Sequence, residues 1–178
     1  MGLSTHLDRW RGDAYRHIPA GSQIDVLDFR YAGRSTENRW NEPGHPTLYL
    51  AGDEGVLIAE WGRHVAVNRS PALQNLTVER AVYRLTLEID HLLDLRNPEV
   101  WTLLSLTGAP TCFTSTGVAR ATAHFIRGTT AAQALIVPSI GFLDQLDRWC
   151  LVLFLEKRSE PASFVANVTP CGRLRRAE

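Results

Sequence analysis

Arg39-Trp-Asn-Glu-Pro-Gly-His-Pro-Thr-Leu-Tyr-Leu-Ala-Gly-Asp-Glu-Gly-Val-Leu-Ile-Ala-Glu60 passes from turn to strand to helix, and it decides how the chain is read. Leu48 and Leu50 alternate with Thr47, Tyr49 and Ala51, the period of a half-buried strand. Gly52 breaks that strand and Asp53 offers a helix N-cap. On the helix from Asp53 to about Val67, Val56, Glu60 and His64 fall at i, i+4 and i+8 beside Leu57 and Trp61. Glu60 therefore shares the face that packs inward. A carboxylate placed there is costly unless it is paired, neutralised or put to chemical use.

Upstream, Gly12 to Pro19 alternates as a short strand from which Arg16 projects, and Ala20 to Pro46 is a long loop rich in Gly, Asn, Ser and Arg. Downstream, a polar break (Asn68-Arg-Ser-Pro) leads to the clearest alternating strand, Ala81 to Ile89. Asn97-Pro98 caps a short helix through Leu104, whose Val100, Trp101, Leu103 and Leu104 need cover from the core or from a partner. Thr114 or Ser115 opens a second helix to about Arg127, with Gly128 as its stop. Gln133–Pro138 and Trp149–Leu155 are continuous apolar runs, expected as central strands buried on both faces. The tail from Thr169 to Glu178, with Arg173, Arg175 and Arg176, reads as frayed surface. Strands with helices inserted between them predict an α+β fold, a mixed sheet with flanking helices. It forms one domain over residues 1–178, with an approximate core of 12–166 and flexible termini.

The 178 residues are 44% hydrophobic, enough for a sizeable core. Lys+Arg and Asp+Glu both count 19, so the cationic footprint of a nucleic-acid binder is missing. Cys112, Cys150 and Cys171 show no ligand spacing and read as reduced, mostly buried thiols. No apolar run approaches the roughly 18 residues of a membrane span, and the amino terminus is polar. A cytoplasmic protein with no membrane partner is expected.

Tyr15-Arg16, Arg39-Trp40-Asn41 with Pro43-Gly44, Leu48-Tyr49-Leu50-Ala51, Glu60 and Leu135-Ile136-Val137-Pro138-Ser139 resemble, in this order, the RES-domain family. That family is the toxin component of many bacterial Xre–RES toxin–antitoxin pairs. The resemblance implies a fold similar to ADP-ribosyltransferase toxins. It also implies an activity that consumes NAD+ by breaking the nicotinamide–ribose bond, with water or inorganic phosphate as acceptor. By the same resemblance Glu60, Tyr49 and Arg16 are catalytic, and Arg39, Trp40, Asn41, His17, Ser139, Ser115 and Thr114 bind substrate. Two departures stand out. Glu37-Asn38 precede Arg39 where the family commonly carries glycines, and His17 follows Arg16 where some members have tyrosine. The family's serine corresponds either to Ser139 or to Thr114 or Ser115, and the sequence does not choose.

The residue types suit that chemistry. Cleavage passes through an oxocarbenium-like ribose, as glycoside hydrolysis does, and nicotinamide leaves neutral without a general acid. One carboxylate then suffices, and Glu60 can hold the ribose 2′-hydroxyl while stabilising the developing cation. The competing reading is an ion pair between Glu60 and an arginine that fastens helix to loop. Arg16 and Arg39 offer planar forks for pyrophosphate oxygens, although an arbitrary arginine is far more often a surface residue. Tyr49 offers an aromatic face for a base, or else simply fills a core. At least one of Thr114 and Ser115 is needed as an N-cap.

No HExxH, P-loop, Rossmann fingerprint or hydrolase elbow occurs. The resemblance implies NAD+ as substrate, and no cofactor and no metal are expected. An Xre-type antitoxin is the expected partner, and both a homo-oligomer and a toxin–antitoxin hetero-oligomer stay open. Two other readings compete with the NAD+-degrading toxin: a protein ADP-ribosyltransferase toxin, and a non-enzymatic nucleotide-binding or interaction module on the same fold.

Overall fold

Among the described residues, six strands build one mixed sheet: β1 (Leu7–Pro19), β2 (Thr47–Ala51), β3 (Arg80–Asp94), β4 (Ala134–Pro138), β5 (Trp149–Phe154) and β6 (Val165–Leu174). The computed structural model describes residues 2–68 and 79–174. The spatial order is β1-β2-β5-β4-β3-β6, and β1 also pairs with β3. That second pairing is the longest in the sheet, antiparallel from Leu7 opposite Leu93 to Pro19 opposite Arg80. On its other edge β3 takes β6 along Arg80–Leu87 and then β4 along Leu92–Asp94, in parallel. β1 reaches β2 through the single pair Tyr15–Ala51. β1, β2, β5, β4 and β3 thus curl back on themselves, with β6 outside the ring, and the unpaired stretch between β1 and β2 leaves room for a cleft.

Alternation along the strands divides the apolar residues between the two faces. Leu48 and Leu50 of β2, Ile136 of β4, and Leu151 and Leu153 of β5 fill the core with Leu85, Leu87 and Ile89 of β3. Leu135, Val137, Val152 and Phe154 point the other way, onto helix α3 (Thr116–Thr129) and Phe113. β4 and β5 are therefore buried on both faces, as their unbroken apolar runs predict. Helix α1 (Glu54–Asn68) follows β2 directly, and Asp53 Oδ1 accepts the Val56 N–H at 2.9 Å as its N-cap. Gly52 is required just before it, because a Cβ there would lie 2.6 Å from the Trp149 indole. Helix α2 (Pro98–Leu103) starts from an Asn97 cap. Its Val100 is buried and the Trp101 indole N–H donates to Leu95 O at 2.6 Å, so its apolar face is covered by the core and only Leu103 stays largely exposed. Among the described residues no helix is long and apolar enough to cross a membrane.

Several boundaries differ from the sequence expectation. β1 begins at Leu7 rather than Gly12: Asp8, Arg9 and Arg11 are exposed, so no apolar alternation marks this half, and pairing with β3 makes it a strand. Gly128 lies inside α3, which ends one residue later and is closed by Thr130, whose N–H and hydroxyl both donate to Ile126 O. The stretch Thr169–Leu174 is not frayed but belongs to β6, with Pro170 and Gly172 flanking a register shift against β3. Proline and glycine in an edge strand hide its period from sequence reading. Ordered structure thus extends beyond the expected 12–166 at both ends. Cys171 is exposed rather than buried, while Cys112 and Cys150 are partly covered, and all three are free thiols. The break at residues 69–71 and Arg175 and Arg176 lie outside the described residues.

Candidate functional site

Residues 20–46 contain no helix or strand and fold back over the gap between β1 and β2. Asn41 organises that loop. Its buried amide donates to Gly33 O at 3.0 Å and Glu42 O at 2.7 Å, and its Oδ1 accepts the Tyr49 hydroxyl at 2.7 Å. Tyr49 in turn accepts the Trp40 N–H at 3.0 Å. Gly33, at φ +78°, passes so close to His45 that a Cβ would overlap the carbonyl oxygen. From α3, Arg120 donates to Asn38 O at 2.9 Å and to Thr36 O, which closes the loop from the far side.

Between this loop, β2 and α1 lies a cleft with two lobes. The larger, about 380 Å³, is lined by Arg16 and His17 of β1, by Tyr49 and by Trp61 of α1. The smaller, about 230 Å³, is lined by Arg39, Arg63 and Trp40, with Pro138 and Ile140 opposite. Asn38, Tyr49, Glu60, His64 and Cys150 border both lobes and so mark the waist.

Glu60 sits at that waist with both carboxylate oxygens engaged. Oε1 accepts the Ser139 hydroxyl at 2.7 Å. Oε2 accepts two bonds from Arg63, Nε at 3.2 Å and Nη2 at 2.8 Å. The first contact follows from the fold: Pro138 ends β4, Ser139 is fully buried, and the turn Ile140–Phe142 lies under α1, with Gly141 close to Ala59. The second is local, an i,i+3 pair on the helix. Glu60 is thus paired within its own helix and with Ser139, not with an arginine of the loop.

Arg39 reaches the carbonyls before α3, donating to Phe113 O at 3.0 Å and Thr114 O at 2.6 Å, while its Nε is buried with no hydrogen-bond partner among the described residues. Burial, then the neighbouring Arg63, lowers its pKa. Arg16 donates to Val26 O and, at 3.4 Å, to Asp28 O, and its guanidinium lies over Phe29. Burial lowers its pKa too, opposed by Asp28 and Asp25. The His17 imidazole is lowered to about 4, first by burial and then by Arg80 and Arg16, so it is neutral at physiological pH. Burial raises both the Tyr49 phenol and the Cys150 thiol, which keeps each protonated.

The structure brings Arg16, His17, Arg39, Tyr49 and Glu60 to one cleft, with Ser139 buried behind Glu60, although Arg16 and Arg39 line opposite lobes. Ser115 is elsewhere, capping α3 through Val118 N–H, and the Thr114 hydroxyl donates to Thr111 O. The serine beside the carboxylate is therefore Ser139. Asn41 spends its amide on the loop, and Trp40 packs on Phe113 with ring centroids 5.0 Å apart, 3% exposed. Both shape the site rather than line it with free polar groups. Sequence reading missed Arg63, although its spacing from Glu60 is legible, and Arg120 and Cys150, which carry no local signal. Among the described residues no three His, Cys, Asp or Glu side chains are grouped to hold a metal ion.

Residues 13–173 match the family model of the RES domain. A chain of the M. tuberculosis MbcT–MbcA toxin–antitoxin complex has a similar fold, with a TM-score of 0.64 and 21% identity over 93% of this chain and 87% of that chain. No curated protein sequence matches at a significant level.

Proposed function

The chain belongs to the RES domain family, and on that premise we propose that it is a toxin that degrades NAD+ at the nicotinamide–ribose bond, with water or inorganic phosphate as acceptor. One observation carries the reading. A carboxylate, Glu60, is held from both sides at the waist of a two-lobed cleft, where the scissile bond of a dinucleotide would lie.

Electrostatics orients the substrate. The smaller lobe carries Arg39 and Arg63, which suits phosphate oxygens. In the larger lobe the flat rings of His17, Tyr49 and Trp61 suit the nicotinamide, and Arg16 is tied to backbone carbonyls with Asp25 and Asp28 nearby. As the bond lengthens, positive charge grows on the ribose and Glu60 stabilises it without having to reorganise, because Ser139 and Arg63 already fix the carboxylate. Nicotinamide departs neutral, and no proton need be delivered to it. Tyr49 stays protonated and holds the loop that bounds both lobes.

An antitoxin partner of the Xre type is part of this proposal, supported by the similar fold found in a toxin–antitoxin complex. The test is NAD+ consumption by the purified protein with and without phosphate, products resolved, beside Glu60→Gln. Loss of NAD+ that the substitution abolishes is expected, and phosphate dependence separates phosphorolysis from hydrolysis. NAD+ that survives intact would overturn the reading. Labelled ADP-ribose appearing on a protein, with little released free, would replace it by protein ADP-ribosylation.

A further inference from the structure

His17 and Arg80 meet through the β1–β3 pairing. Val82 stands directly opposite His17 and Arg80 opposite Pro19, so Arg80 is the diagonal neighbour of the imidazole across the strands. Arg80 Nε donates to His17 Nδ1 at 2.9 Å. A guanidinium N–H can only donate, so Nδ1 is the unprotonated nitrogen, and in a neutral ring the proton must sit on Nε2. No other side chain hydrogen-bonds to the His17 imidazole among the described residues, and its further polar contact is with its own backbone. Its ring is wedged edge-on against Trp61, centroids 5.7 Å apart, and it lines the larger lobe.

We infer that Arg80 is a positioning residue which holds His17 in the Nε2–H tautomer, so that this N–H donates to the carboxamide oxygen of the dinucleotide's pyridinium ring. This rests on the NAD+ reading above and adds to it a determinant of substrate choice. Charge supports the assignment. The groups facing His17 are Arg16 on its own strand, Arg80 on β3, and His64 with the uncharged Trp61 on α1. Both arginines disfavour a third cation between them, and a neutral imidazole does not repel a pyridinium as an imidazolium would. Arg80 therefore sets which nitrogen donates and helps to keep the ring neutral.

The experiment has two independent readouts. Long-range 1H–15N correlation on the folded wild type is expected to show a pyridine-type Nδ1 and a pyrrole-type Nε2 at His17, and Arg80→Met to give a tautomer mixture. Cleavage of NAD+ is then compared with that of the analogue bearing plain pyridine in place of nicotinamide. Wild type should prefer NAD+ through the carboxamide contact. His17→Phe and Arg80→Met should each shrink the ratio of kcat/KM values by about three- to tenfold, the range for one neutral hydrogen bond. A general structural defect would lower both substrates alike and leave the ratio unchanged. An Nδ1–H wild-type tautomer, or a ratio unmoved in His17→Phe, overturns the proposal even if NAD+ is consumed. The expected tautomer with no cleavage of either dinucleotide overturns the NAD+ reading instead, and this role with it.

Discussion

Ser139 and Glu60, 79 residues apart in the chain, share a hydrogen bond of 2.7 Å at the waist of the cleft. The hydroxyl is fully buried and the carboxylate only slightly exposed, so the bond fixes one oxygen of Glu60 while Arg63 fixes the other. Glu60→Gln keeps the volume but removes the charge, and NAD+ turnover should fall on the order of a hundredfold or more. Ser139→Ala leaves the charge and frees its orientation, so a smaller loss, about tenfold, is expected in kcat at nearly unchanged KM. Initial rates of both variants across NAD+ concentration check this. Equal losses in the two would show that Glu60 does not act through its charge.

From α3, Arg120 holds the loop through Asn38 O and Thr36 O. Arg120→Ala should loosen the wall of both lobes, because Asn38 borders each. KM for NAD+ is expected to rise severalfold with kcat little changed. Limited proteolysis should cut within residues 34–38 faster than in wild type, and an unchanged cleavage pattern would refute the role.

Tyr49→Phe removes one oxygen that serves two partners, the Trp40 N–H and Asn41 Oδ1. Asn41 is buried, so the lost bonds leave groups unsatisfied at a cost of about 1–3 kcal/mol. Chemical denaturation should show that loss, with the denaturant midpoint lowered and the slope retained.

His17 gives a pH dependence with a definite sign. In the folded chain its pKa is about 4, through burial and then Arg80 and Arg16, whereas an unfolded histidine titrates near 6.5. Between those values the unfolded state binds a proton that the native state refuses. This contribution therefore destabilises progressively as pH falls from about 6.5 towards 4, and is absent above that window. The full effect amounts to at most about 3 kcal/mol. Urea unfolding at pH 7.5 and 4.5 should show a larger drop in wild type than in His17→Phe. A drop of the same size in both would place the titration elsewhere.

Much of the architecture was legible along the chain because it rests on neighbours a few residues apart. The period of β2, the Asp53 cap, the inward face of α1 carrying Glu60, the Asn97 cap and the apolar runs of β4 and β5 all follow from local spacing. The ordered motifs likewise pointed to the RES domain family, which the match over residues 13–173 bears out. The first half of β1 and all of β6 were not legible. Their residues are mostly exposed, and what makes them strands is the backbone ladder to β3, which any side chain can support.

For the site, the sequence by itself determined the cast: a carboxylate on a helix's inner face, a tyrosine on a strand, arginines before and within a long loop, and a choice of hydroxyls. Only the tertiary structure decided that Ser139 is the hydroxyl at Glu60, that Arg16 and Arg39 line opposite lobes, and that Ser115 caps a helix instead. The physical reason is distance along the chain. Arg39 and Arg120 find their partners 74 and 82 residues away, and those partners are backbone carbonyls, present at every residue and therefore without a signature in the sequence. Such contacts exist once the curled sheet has closed and brought the ends of β2, β4 and α3 around one cleft.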